Sequence, residues 1–144
     1  MEGMATDVDA AALLRMHLDA LAAFRAGDVT TGTTLLTEAA ASEQILGCKA
    51  GHLHTLHQSR LLTHLGGDLR RATQYYTDTY RTVSSFKNRE GAGLCLRSLG
   101  ELSLASGNAK AAATFWRRGA ESLRAAKLPE ADVVAQWLAT IEQT

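Results

Sequence analysis

Four histidines, His52, His54, His57 and His64, fall within thirteen residues, and Cys48 stands four positions before the first of them. Imidazole nitrogen and thiolate sulfur are ligands for zinc, copper and nickel, so this cluster is where a metal would be sought. On a helix His54 and His57 are neighbours, and His57 and His64 lie two turns apart on one face. A site needs three or four convergent donors with a supporting shell, and no carboxylate stands between Cys48 and Asp68 to supply either. The reading is therefore no metal and no cofactor, with a His-rich transition-metal-binding helical protein as an alternative. Cys48 and Cys95 lie far apart without CxxC spacing, which signals neither a disulfide framework nor a cysteine zinc site. There is no GxSxG, no HExxH and no phosphate-cradling glycine loop, and Gly91 and Gly93 open a helix instead of following a strand. No catalytic residue is assigned, and an enzyme is the disfavoured class.

Composition narrows the partners. Fifteen basic side chains balance fifteen acidic ones, so no whole-chain field draws the protein to nucleic acid or an anionic membrane. No run approaches the ~18 apolar residues of a membrane span, and the acidic N-terminus lacks a secretory signal; a cytoplasmic protein is expected. Arginine outnumbers lysine eleven to four and alanine is abundant, which points to a bacterial source.

These residues must be positioned by helices. One proline in 144 residues, with dense Ala, Leu, Arg, Glu and Gln, favours helix over strand. Three turns, Ala26-Gly27-Asp28, Gly66-Gly67-Asp68 and Ser106-Gly107-Asn108, place their central glycines forty residues apart twice over. Glycine ends one helix in the left-handed region, and Asp or Asn caps the next. The register persists downstream. Five residues after each glycine stand Gly32, Ala72 and Ala112, small enough for close helix approach. Eight and nine after stand Leu35-Leu36, Tyr75-Tyr76 and Phe115-Trp116, bulky pairs expected to fill seams on both sides of a second helix. The spacing predicts helices over 7–26, 28–46, 51–66, 68–86, 90–106, 108–126 and 129–142, in one 1–144 domain. Asn88 is expected to cap the fifth. Pro129, Glu130 and Asp132 suit the start of the seventh, which is expected to cover Phe115 and Trp116 with Val133, Val134, Trp137, Leu138 and Ile141. A plain antiparallel bundle is the alternative architecture, but it has no reason to keep one period through both turn and core.

The stretch from Phe86 to Ala112 resembles the long tetratricopeptide repeats of bacterial MalT-like and LuxR-type regulators. Leu99-Gly100, Gly107-Asn108, Ala112 and Trp116 fall where that family has its leucine-small pair, turn, small residue and aromatic. Asp19-Ala20 and Ser59-Arg60 depart from the leucine-small pair, and Thr79 from a usual small residue. The resemblance covers about residues 13–126. It implies an all-α, right-handed solenoid of three helix pairs, over about 13–46, 53–86 and 93–126, closed by a capping helix over about 129–142.

For function the resemblance implies a protein-interaction module or scaffold holding a peptide or helix in a concave groove lined by the first helix of each pair. At matching offsets before the turn glycines stand Leu14, His54 and Leu94; His17, His57 and Arg97; Leu21, Leu61 and Glu101; and Phe24, His64 and Leu104. Offsets of three and four put each set on one helix face. The His17, His57, Arg97 rung suits a peptide with acidic groups. Leu21 and Leu61 stand where the family's carboxylate clamp would need Asn, so chaperone tails are not expected. Helix 1, with Leu13, Leu14, Met16, Leu18, Leu21 and Phe24, is apolar on more than one side, which makes a self-associating homodimer the alternative reading.

Overall fold

The computed structural model of the chain describes residues 9–143. Among them the regular elements are seven α-helices: α1 (Ala10–Arg25), α2 (Val29–Ile45), α3 (Lys49–His64), α4 (Leu69–Ser85), α5 (Arg89–Ala105), α6 (Ala109–Ala125) and α7 (Glu130–Glu142). Every later boundary falls within two residues of its expected position. The expected start of the first helix, at residue 7, lies outside the described residues. Asp9 caps α1 instead, its carboxylate accepting the Ala12 N–H at 2.7 Å.

The helices are punctuated more regularly than the forty-residue pattern implied. Backbone φ is positive at Gly27, Gly47, Gly67, Lys87, Gly107 and Lys127, one residue in every twenty. At five of these turns the next amide reaches the carbonyl five residues back: Asp28 to Ala23, Cys48 to Glu43, Asn88 to Val83, Asn108 to Ser103 and Leu128 to Leu123, all at 2.8–3.0 Å. This is the Schellman closure, which satisfies carbonyls left open by the last helical turn. At the remaining turn α3 ends one residue early, Gly66 also takes a positive φ, and the Gly67 amide bonds to Leu62. Lysine holds the left-handed position at 87 and 127, where a side chain costs about 1–2 kcal/mol relative to glycine, so a search on glycine sees only part of the series. Asp28, Asn88 and Asn108 cap α2, α5 and α6 as expected, accepting the Thr31, Gly91 and Ala111 amides.

The chain divides between Asp68 and Leu69 into two compact units. In the first, α2 packs against both α1 and α3. Leu13, Leu21, Phe24, Leu36, Ala39 and Leu62 form its core. Gly32 lies under the Phe24 ring, where an added Cβ would come within 2.6 Å of a ring carbon, so the small residue expected there is required by packing.

In the second unit α5 packs against α4 and α6, and every residue from Ala92 to Leu102 is buried. A helix buried on all sides cannot keep an exposed polar face. Gly100 makes room for Trp116: a Cβ there would fall 2.1 Å from the indole nitrogen. Trp116 packs against Trp137 of α7 with ring centroids 5.5 Å apart, and Val134 and Trp137 are fully buried, so α7 covers α6 as expected. Val133, Leu138 and Ile141 are half-buried.

The adjacent bulky pairs divide differently from the expectation that both members fill seams. Leu36, Tyr76 and Trp116 are buried, whereas Leu35 and Phe115 are half-buried and Tyr75 is exposed. Successive residues are rotated by about 100° around a helix, which carries the first of each pair off the buried stripe.

Candidate functional site

The expected groove ladders are mostly interior. Leu14, His17, Leu21, Phe24, Leu94, Arg97 and Glu101 are buried, His54 and Leu61 are half-buried, and only His57 and His64 are exposed. The rung of His17, His57 and Arg97 is thereby split, since two of its members are buried and cannot meet a ligand. The cause is packing: α1 turns its Leu13, His17, Leu21 and Phe24 stripe inward, and α5 has no open side.

The buried polar residues serve the core. In the first unit His17 Nε2 lies 3.5 Å from Glu43 Oε1, and the Thr55 hydroxyl donates to the same oxygen, so one carboxyl group joins α1, α2 and α3. In the second, Arg97 Nε lies 3.5 Å from Glu101 Oε2, and its guanidinium stands 5.6 Å from the centre of the Trp137 ring. The Trp116 indole N–H donates to the Arg97 carbonyl at 3.0 Å. Burial of such charges costs free energy that pairing offsets, and Arg97 with Glu101 forms such a pair.

The thiols and the histidines do not converge. Cys48 and Cys95 are both free and buried. Burial pushes the Cys95 thiol up to about 11, so it is protonated and unreactive at neutral pH. His52 is turned to the backbone, its Nδ1 2.7 Å from the Ala40 carbonyl oxygen. No group of three or more His, Cys, Asp or Glu among the described residues is placed to hold a metal ion. No helix among them is long and apolar enough to cross a membrane.

Tyr76 sits beside these groups, its phenol raised well above the ordinary tyrosine value by burial first and then by the charge of Glu101. Because Cys95 and Tyr76 hold their protons more tightly folded than unfolded, these two groups leave stability unchanged below about pH 9 and lower it as pH rises past the unfolded thiol and phenol values near 9 and 10. Urea denaturation between pH 7 and 11 should show a flat region and then an alkaline decline. In Tyr76→Phe that decline should be shallower; an unchanged decline would remove Tyr76 as a cause.

What the surface offers lies at the α2–α3 turn. Gln44, Gly47, Lys49, His52 and Leu53 line a cleft of about 480 Å³, within the range of small-ligand and side-chain pockets. Leu53 on its wall is 60% exposed, and Ile45, next in sequence to Gln44 of the lining, is 65% exposed. A large aliphatic side chain left in water on the wall of a concavity, with a second close to it in sequence, is unusual for a surface that meets only solvent. Lys49 makes no ion pair among the described residues, so the rim carries a free cation. Sequence reasoning missed this site because nothing in the type or spacing of Leu53 sets it apart from the buried apolar residues of the same helices.

Comparison with protein-family models, with curated proteins and with solved structures finds no match for this chain.

Proposed function

We propose that the chain is a protein-interaction module built from tetratricopeptide-like helix pairs in a right-handed solenoid, with α7 as its cap, and that it holds a partner protein in the cytoplasm without catalysis or a cofactor. The observation that carries this reading is the cleft at the α2–α3 turn, walled by the exposed Leu53. Support for helix pairs as the building block comes from the repeated closures and caps, and from small residues recurring at Gly32, Ala72 and Ala112. The occupant assigned to the cleft is a peptide or helix segment presenting one large apolar side chain beside a carboxylate: the aliphatic wall takes the first and Lys49 the second.

Peptides selected on the full chain from a displayed random library test this. They should share an apolar anchor next to Asp or Glu. Leu53→Asp should weaken their binding at least tenfold, about 1.4 kcal/mol, with an unchanged helical circular dichroism spectrum. Peptides without an apolar anchor, or affinity unmoved by that substitution, would place the binding surface elsewhere. If the occupant is instead a second copy of the chain, sedimentation will show a dimer that Leu53→Asp dissociates.

A further inference from the structure

A second concavity, in the second unit, differs in chemistry from the first. Tyr80 and Ser84 of α4, Lys87 and Asn88 of the following turn, Arg89 and Ala92 of α5, and Ser122 of α6 line a cleft of about 170 Å³. This volume is small for a drug-sized molecule, whose pockets run to about 300–1,000 Å³, and suits a compact group. Lys87 and Arg89 are exposed, and neither makes an ion pair among the described residues.

A third cation stands at its edge. The Arg118 guanidinium lies 5.3 Å from the centre of the Tyr80 ring and donates to the Tyr80 hydroxyl, so an aromatic ring holds it where a carboxylate might have neutralised it. Among the described residues no acidic side chain lines the cleft, and Asp78, six residues before Ser84 on α4, is paired with Arg81 at 3.6 Å. Asn88 already accepts the Gly91 amide, so the end of α5 contributes little of its own. Recognition falls to the side chains.

Three cations and three hydroxyls from separate elements match the needs of one tetrahedral dianion. Arginine gives paired N–H donors, lysine a mobile point charge, and serine and tyrosine hydroxyls complete the oxygen contacts. We infer that this cleft binds a phosphate group, free or as the phosphomonoester of a small molecule. The inference stands apart from the Leu53 cleft and does not depend on it.

The test is an NMR titration of the full ¹⁵N-labelled chain at neutral pH and low salt, with inorganic phosphate in one arm, phosphoserine in another, and sodium chloride at matched ionic strength as control. Saturable shifts should appear at the amides of Ser84 to Ala92 and of Ser122, with a dissociation constant of about 1–10 mM or tighter, and chloride should not reproduce them. Lys87→Gly with Arg89→Gln should weaken binding at least tenfold; glycine accepts the φ of 58° at position 87, so the fold is kept and the spectrum stays dispersed. Tighter binding of phosphoserine identifies a phosphomonoester as the ligand, and equal or tighter binding of inorganic phosphate identifies the free ion. Absence of saturation by about 20 mM in both arms, or affinity unchanged in the folded double variant, would overturn the site.

Discussion

Replacing Arg97 with alanine should destabilise the second unit by about 3–5 kcal/mol, because it breaks a buried ion pair and takes the cation from the buried Glu101 carboxyl group. That is a large part of the ~5–15 kcal/mol typical of a whole domain. The guanidinium also packs against Trp137, so packing is lost with the charge. As a surface rung Arg97 would have been removable without cost; as a core residue it is not. The control is the double variant Arg97→Met with Glu101→Leu, which removes both charges, keeps most of the volume, and should recover most of the loss. Urea denaturation followed by circular dichroism measures both. A loss under about 1 kcal/mol in the single variant, the range of an exposed pair, would show that the ion pair contributes nothing in the interior.

The second large effect is expected at Gly67. An added Cβ would fall 2.2 Å from the Phe24 carbonyl oxygen and 2.9 Å from its carbon, backbone atoms that no side-chain rotation can move, and φ here is 83°. Gly67→Ala should therefore cost about 3 kcal/mol or more, combining left-handed strain with overpacking. Gly107 has the same role in its turn, with φ at 85°, but an added Cβ there meets nothing within 4 Å. Gly107→Ala should cost only about 1 kcal/mol, since strain is partly offset by a stiffer unfolded chain. Equal losses at the two positions would mean that the contact with Phe24 adds nothing to the strain.

What the sequence made legible was whatever depends on local chemistry. Asp28, Asn88 and Asn108 cap helices because a short polar side chain before a helix can do little else, and Gly32 and Ala112 are small because a partner helix lies against them. The placement of Trp137 over Trp116 was readable because both are too large and apolar for a helix to leave in water. The groove was not readable. Whether His17 faces a ligand or Glu43 depends on the rotation of α1 against α2, and a shift of one residue, about 100°, reverses the answer. Glu43 gave no warning, because the equivalent turn positions hold Val83 and Leu123 and the repeat argues for an apolar side chain. Lys87 and Lys127 hid two turns for a similar reason: their conformation is glycine-like and their chemistry is not.

The turns recur every twenty residues, while the small residues Gly32, Ala72 and Ala112 recur every forty. Within each unit short turns make successive helices double back, so a twenty-residue step reverses the chain and a second step restores it. An insertion of twenty residues inside a unit would leave its closures in phase yet point that unit's later helices the opposite way. An insertion of forty would disturb neither. Within a unit the closures count single helices while direction counts pairs, so its length can change without reversing the helices that follow only by whole hairpins.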